Sequence, residues 1–181
     1  VAARLVGTSQ PMNPALDGFV EGCSGKPQPC WYGIVPGVTT DAEIYPILAF
    51  AGEPEFSRSI FSRDFTLIFT LPPPWPYCRA TFEIVRDVAV RGEITVCRQP
   101  DIRLGDLTIL LEREQKIVSL PPREWVYGSI GVNVDGWPTP YSRVSYIDLR
   151  PLDARFQQFP WRGFLPQNRY CRLIPDYPLC S

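Results

Sequence analysis

Hydrophobic residues follow a period of two in several short segments, and that period predicts β-strands. Between Phe65 and Leu71 every second residue is apolar, and three prolines follow directly. Such alternation is typical of a strand with one buried face. The same pattern predicts further strands at 80–86, 93–98, 116–120, 125–134 and 143–149, with turns near Arg91-Gly92 and at Asp135-Gly136.

Two other segments have the spacing of short helices. The residues Thr40-Asp41-Ala42-Glu43 form a capping box, in which the Thr and Glu side chains satisfy each other's backbone amides. Apolar residues on one helical face follow, and Gly52 then stops the pattern, so a helix is predicted near 40–51, bent by Pro46. Leucines at helical spacing from Leu104 predict a second helix near 105–113.

The order of these elements is helix, strands, helix, strands. It predicts an α+β fold over residues 30–150, with a mainly antiparallel sheet and two short helices. The spacing also allows two pseudo-repeated halves, 30–98 and 99–150. Residues 1–29 are polar and interrupted by proline and glycine, which predicts an extended leader.

Residues 151–181 form a C-terminal arm of different composition, rich in arginine, aromatic residues and proline. Prolines recur too often for a regular helix or strand, so an irregular arm is predicted. It packs on its own domain or docks onto a neighbouring protein, because arginine and aromatic residues are enriched at interaction hot spots. The residues expected at such a contact are Phe156, Phe159, Trp161, Arg162, Phe164 and Tyr170.

The chain has six cysteines and no histidine. An even number of cysteines without close ligand pairs favours structural disulfides over a metal site, and no histidine completes a ligand set. Neighbours along the chain suggest the pairs Cys23–Cys30, Cys78–Cys97 and Cys171–Cys180. Disulfides indicate an oxidising compartment, which for a bacterial protein lies outside the cytoplasmic membrane.

Composition limits the classes of partner. A share of 45% hydrophobic and 20% charged residues is typical of a globular domain. The net charge of −1 argues against a nucleic-acid binder that neutralises phosphates. The chain contains no apolar run long enough for a membrane-spanning helix, and a membrane anchor N-terminal to Val1 stays open.

Candidate catalytic groups do not form a recognisable motif. Without histidine, the Ser-His and Cys-His designs are excluded, and no G-x-S-x-G elbow or phosphate-binding loop occurs. Nothing in the sequence pairs the carboxylates in or beside the predicted elements, so solvated faces and helix caps explain them better than a catalytic dyad. These carboxylates belong to Asp64, Glu83, Glu93, Asp106 and Glu124.

One segment resembles known proteins. The run from Pro29-Cys30-Trp31 through Gly33-Ile34 to Pro36-Gly37-Val38-Thr39-Thr40, with a later helix opening on Leu104-Gly105-Asp106, is similar to uncharacterised envelope proteins of the Chloroflexota. The Pro-Gly-x-Thr-Thr entry into a helix also resembles the α+β domains of the SmpA/BamE type, whose tandem form is similar to β-lactamase-inhibitor proteins. This resemblance implies a scaffold or contact role and brings no catalytic residues.

Together these patterns predict a non-enzymatic, extracytoplasmic protein. It is expected to act as a structural or accessory subunit of a bacterial envelope or cell-surface assembly, with other envelope or membrane-associated proteins as partners. The alternative is a soluble binding module, either a protein inhibitor or a carbohydrate-binding domain. No metal, cofactor or nucleic acid is expected.

Overall fold

A computed structural model describes residues 13–58, 64–73, 77–97, 101–110, 116–120, 124–127, 130–134, 137–150, 159–160, 164 and 166–173. Three short α-helices occur in these ranges: α1 (Asp41–Ile47), α2 (Leu104–Leu110) and α3 (Gln167–Leu173). Short 3-10 helices cover Pro14–Phe19 and Ala49–Ala51. No helix in these ranges is long and apolar enough to cross a membrane.

The described strands form one antiparallel sheet, which confirms the predicted α+β class and the mainly antiparallel sheet. Its order is β1-β2-β3-β4-β8-β7-β6-β5-β9, so β1 and β9 are the edges. Strands β1 to β4 meet strands β5 to β9 where β4 pairs with β8. The bounds are β1 Glu55–Arg58, β2 Phe65–Thr70, β3 Tyr77–Val85, β4 Val88–Val96, β5 Lys116–Leu120, β6 Glu124–Tyr127, β7 Ile130–Val134, β8 Val144–Leu149 and β9 Phe159–Pro160.

One face of the sheet carries the hydrophobic core. Strand β3 alternates between buried and more exposed positions, as expected for a strand whose single buried face packs on other elements. The main core cluster combines this face with residues of the N-terminal segment and the first two helices. Trp31 belongs to this cluster and is fully buried, with its ring 6.3 Å from that of Phe82. The sheet residues of this cluster include Leu67, Phe69, Ala80, Phe82, Ile84, Ile94, Val96, Val132, Ile147 and Leu149.

The predicted turn near Arg91-Gly92 is wrong, because the β3–β4 hairpin turns at Arg86-Asp87. Val85 pairs with Val88, and the two residues between them have φ values of 51° and 64°. Positive φ at both positions is the geometry of a tight type I′ hairpin turn. Gly92 instead lies inside β4, opposite Phe82. A Cβ there would approach two ring carbons of Phe82 to 3.0 and 3.2 Å, so glycine makes room for the ring.

Two predictions in the second half also need correction. The segment 125–134 was expected to form one strand, but β6 and β7 pair as a hairpin, with Tyr127 opposite Ile130. Strands β7 and β8 do pair, but Val134 lies opposite Val144, so nine residues rather than two connect them. Residues 135–136 themselves lie outside the described ranges. Hydrophobic alternation alone could not show where β6 ends and β7 begins, because both strands have the same period of two residues.

The N-terminal segment and the arm differ from the expected irregular chain. From Asn13 onward the predicted leader contains a 3-10 helix whose Leu16 and Phe19 are buried in the main core. Helix α3 lies in the predicted irregular arm, where no proline interrupts residues 167–174. The division of the chain at 29 and 151 and the two pseudo-repeated halves stay predictions.

Two of the three predicted disulfides are confirmed: Cys23–Cys30 and Cys78–Cys97. The first closes a loop beside Trp31, and the second joins β3 to the residue after β4. For the Cys171–Cys180 pair, Cys180 lies outside the described ranges. That pair stays a prediction.

The segment Pro36-Gly37-Val38-Thr39-Thr40 has a structural role. Gly37 adopts a φ of 84°, and its amide donates to the carbonyl of Ala89 at 2.6 Å. The Thr39 hydroxyl accepts a hydrogen bond from the amide of Val35 at 2.8 Å. These bonds fix the entry to α1 against the β3–β4 hairpin.

The Leu104-Gly105-Asp106 segment also has a structural role. The amide of Gly105 donates to the carbonyl of Pro140 at 2.9 Å, and a Cβ at this position would lie 2.8 Å from that oxygen. Asp106 accepts from the amide of Arg103 and from the side chain of Asn13. The start of α2 is thereby joined to the N-terminal segment.

The predicted capping box is confirmed at the start of α1. The amide and the hydroxyl of Thr40 both donate to the Glu43 carboxylate at 2.8 Å. These bonds hold the pKa of Glu43 below its usual value, the backbone bond most strongly. Pro46 lies within α1, and the α-helix ends one residue later, at Ile47.

We expect Glu43→Gln to reduce stability in a pH-dependent way. Because the folded-state pKa is lowered, the carboxylate contributes stability above its unfolded-state pKa, and this contribution is lost as pH falls through the folded-state value. The free energy of unfolding, measured with urea across this range, should differ between wild type and variant near neutral pH and converge in acid. Glu53→Gln, which removes an exposed charge beyond the helix, is the control. A difference that persists unchanged in acid contradicts this account.

We expect Gly92→Ala to destabilise the fold by about 1–2 kcal/mol, since the added methyl group crowds a buried ring. Urea denaturation under non-reducing conditions measures this cost. In a Phe82→Leu background the same substitution should cost less, because the crowding ring is gone. An equal cost in both backgrounds would show that Phe82 is not the reason for the glycine.

Candidate binding groove on the open sheet face

The sheet face opposite the core carries a polar groove. Strand register places Thr66 opposite Glu83, Glu83 opposite Arg91, and Thr81 opposite Glu93. These side chains share one face because residues opposite each other in an antiparallel pair point to the same side. The groove has a volume of about 480 Å³ and is lined by Ser57, Arg58, Asp64, Phe65, Thr66, Thr81, Glu83, Arg91 and Glu93.

A buried carboxylate lies beside the groove. Asp148 of β8 is fully buried and lies directly opposite Glu93 of β4. Like charges directly opposite each other destabilise a sheet, and a buried charge without a partner costs several kcal/mol. This position therefore requires a cation.

Arg91 supplies that cation. Its Nε donates to the two carboxylate oxygens of Asp148 at 3.0 and 3.1 Å, and its Nη2 donates to Oδ2 at 2.6 Å. Nη2 also lies 4.0 Å from Glu93, and Arg150 approaches the same Asp148 oxygen to 3.2 Å. Such forked contacts fix the guanidinium plane. Arg91 thus lines the groove in an orientation that is fixed by the buried carboxylate of Asp148.

The structure brings together three of the five carboxylates considered in the sequence. Asp64, Glu83 and Glu93 line the groove. Asp106 instead lies at the start of α2, and Glu124 begins β6. From the sequence, Arg91 was expected only in a turn, and no role was predicted for Asp148. The available signal was an arginine within the apolar strand β4 and an aspartate within the apolar strand β8. Opposite charges inside two apolar strands indicate an ion pair between them.

The groove can bind a polar partner through several kinds of group. The hydroxyls of Ser57, Thr66 and Thr81 can donate and accept, the carboxylates accept, and the guanidinium groups donate. Three carboxylates stand against two arginines, and Arg91 is already engaged by Asp148. The groove is therefore suited to a partner with hydroxyl or cationic groups.

Two tyrosines elsewhere, the half-buried Tyr32 and the buried Tyr77, are unsuited to proton transfer near neutral pH. Burial raises the pKa of Tyr32 and of Tyr77 well above the ordinary value. Both phenols therefore stay neutral. The ring of Trp31 packs against both, at 4.9 and 5.6 Å between centroids, as in a core cluster.

Three of the six arm residues predicted to contact a neighbouring protein lie within the described ranges. Phe164 is half-buried and packs against the main core, and Phe159 belongs to β9, which pairs with β5. Tyr170 lies on α3, and its side chain is not described. The described contacts of the arm are thus with its own domain. The remaining predicted contact residues, Phe156, Trp161 and Arg162, lie outside the described ranges.

Comparisons with known proteins add no relative. No protein-family model, no curated protein and no solved structure matches this chain. The resemblances to Chloroflexota envelope proteins and to SmpA/BamE-type domains therefore stay expectations from short motifs. Within the described ranges, no group of three histidine, cysteine or acidic residues is placed to hold a metal ion.

We expect Arg91→Met to destabilise the protein by about 2–4 kcal/mol, because it leaves Asp148 buried with Arg150 as its remaining cationic contact. The double variant Arg91→Met, Asp148→Leu should recover much of this loss, since no buried charge remains. Urea denaturation of the wild type, both single variants and the double variant gives the coupling free energy. Additive effects would show that the pair is not the reason for the cost.

Proposed function

We propose that the protein is a non-enzymatic, extracytoplasmic accessory subunit that binds a partner protein through the open face of its sheet. The observation that carries the proposal is the groove, a recessed polar surface backed by a buried ion cluster. Among the described residues, the core packs on one face of the sheet and the groove lies on the other.

The rigidity of the groove supports a binding role. Its lining comes from four adjacent strands, and a side chain built on strands is positioned more accurately than one on a loop. The Arg91–Asp148 contact orients one cation before any partner arrives, so less conformational entropy is lost on binding.

The disulfides support the extracytoplasmic assignment. Two bridges lie within the described residues, and such bonds persist in oxidising compartments. Each closes a short loop, and each is expected to stabilise the fold by about 2–4 kcal/mol.

A carbohydrate ligand is the second candidate. Hydroxyl, carboxylate and guanidinium groups together provide both donors and acceptors for a polyhydroxylated ring, and the groove has the volume typical of small-molecule sites. A soluble carbohydrate-binding module would use the same face without a protein partner.

Site-specific photo-crosslinking in the cells that produce the protein tests this proposal. A photoreactive amino acid at Thr81, inside the groove, should give a discrete crosslinked protein. The same group at Val20, an exposed position on the N-terminal segment, should not. A third position, Trp161, tests the predicted contact of the arm.

The outcomes separate the candidates. A discrete adduct at Thr81 that disappears in a Glu83→Lys variant supports a protein partner in the groove. Retention of the purified protein on immobilised cell-surface glycans, without a protein adduct, favours the carbohydrate-binding module. Identical adducts at Thr81 and Val20, with no glycan retention, contradict both.

A further inference from the structure

The two edges of the sheet differ in how they are protected. Edge strands expose unpaired backbone groups, and proteins commonly shield them by shortness or by proline. Strand β9 has both features, since it consists of Phe159–Pro160. Strand β1 has four residues, Glu55–Arg58, none of them proline. Within the described part of the chain, nothing pairs with its outer side.

The side chains of β1 are also unusually exposed. All four are exposed, and Phe56 is 64% exposed. Its ring lies 6.3 Å from that of Phe65, which leaves much of it uncovered. A large aromatic residue exposed on an unshielded edge favours association, because an added strand would cover the ring and satisfy the backbone groups.

The edge borders the groove. Ser57 and Arg58 belong to β1 and line the groove. Glu55 and Ser57 lie opposite Ile68 and Thr66, so they share the open face. Phe56 and Arg58 lie opposite Leu67 and Phe65, at positions of the other face. A strand added to β1 would therefore extend the open face that the proposed function assigns to partner binding.

We propose that β1 binds an extended segment of the partner protein as an additional strand of the sheet. The segment has a basic residue opposite Glu55, an apolar residue opposite Phe56 and an acidic residue opposite Arg58. Backbone hydrogen bonds supply much of the affinity in such strand addition, and alternate side chains supply specificity. This inference rests on the proposed function and names the kind of partner segment.

Charge complementarity favours a partner segment over a second copy of this chain. A twofold axis normal to an antiparallel pair places residues of the same face opposite each other. In a symmetric dimer centred on Phe56, the two Phe56 rings would meet and Glu55 would face Ser57. Neither Glu55 nor Arg58 then gains an opposite charge directly across the strands. A different sequence can satisfy both.

Selection from a random linear peptide library displayed on phage tests the proposal with the intact, disulfide-bonded protein. Selected peptides should carry a basic residue in the position opposite Glu55, an apolar residue in the next position, opposite Phe56, and an acidic residue opposite Arg58. Glu55→Lys should weaken a selected peptide by about two- to fivefold and shift the selection toward acidic residues. Phe56→Glu should weaken it by more than about tenfold. Glu21→Lys, a charge reversal at another exposed position, is the control.

Backbone methylation of a selected peptide distinguishes strand addition from binding by side chains alone. Alternate amides of an added strand point toward β1, and the others point away. N-methylation of one alternate set should abolish binding, and methylation of the other set should leave it largely intact. Circular dichroism of each protein variant checks that the sheet is retained.

Several results would overturn the proposal. They are a library without binders, equal binding of both methylated peptides, or selected peptides that ignore the β1 variants. A concentration-dependent dimer in sedimentation, removed by Phe56→Glu, would assign the edge to a second copy instead. If the Thr81 crosslink persists while peptide binding fails, the groove keeps its role and only the β1 inference is rejected. If Thr81 gives no discrete crosslinked protein, the proposed function itself is rejected.

Discussion

The pairing of β4 with β8 joins strands β1 to β4, one half of the sheet, to strands β5 to β9, and the contact between Arg91 and Asp148 spans that junction. Asp148 is fully buried, so its charge must be compensated where the halves meet. Arg91 meets this requirement in a forked geometry and separates Asp148 from the charge of Glu93. On the opposite face, Leu149 lies across from Gly92, where the ring of Phe82 also packs. The junction thus combines an ion cluster on one face with close packing on the other.

The local signals in the sequence predicted local structure well. The capping box at Thr40, the glycine that follows the helical segment and the alternation in β2 involve residues close in the chain, so spacing alone identifies them. The two short disulfides were predictable for the same reason. By contrast, the turn at Arg86-Asp87 contains no glycine, although both residues adopt positive φ. Gly92 resembles a turn residue, but a neighbouring ring accounts for it.

The groove could not be predicted in this way. Its lining comes from four strands, and the carboxylates Glu83 and Glu93 reach it only through the register of β3 with β4. The partner of Arg91 lies on β8, far along the chain. Strand order is set by long-range packing, so a single sequence gives no direct measure of it. The segments that carry the resemblance, in contrast, form the entries to α1 and α2 and lie apart from the groove.

The residues on the two sides of the groove differ in how much they contribute to the stability of the fold. Arg91 both lines the groove and compensates Asp148, so a substitution there changes stability and the groove surface together. Ser57 and Thr66 lie nearer the β1 edge, and both are uncharged. A change at either alters the surface without removing the charge partner of a buried group. The β4 side of the groove is therefore more strongly constrained by folding than the β1 side. The proposed partner binding therefore assigns selectivity between partners to the strands nearest the open edge.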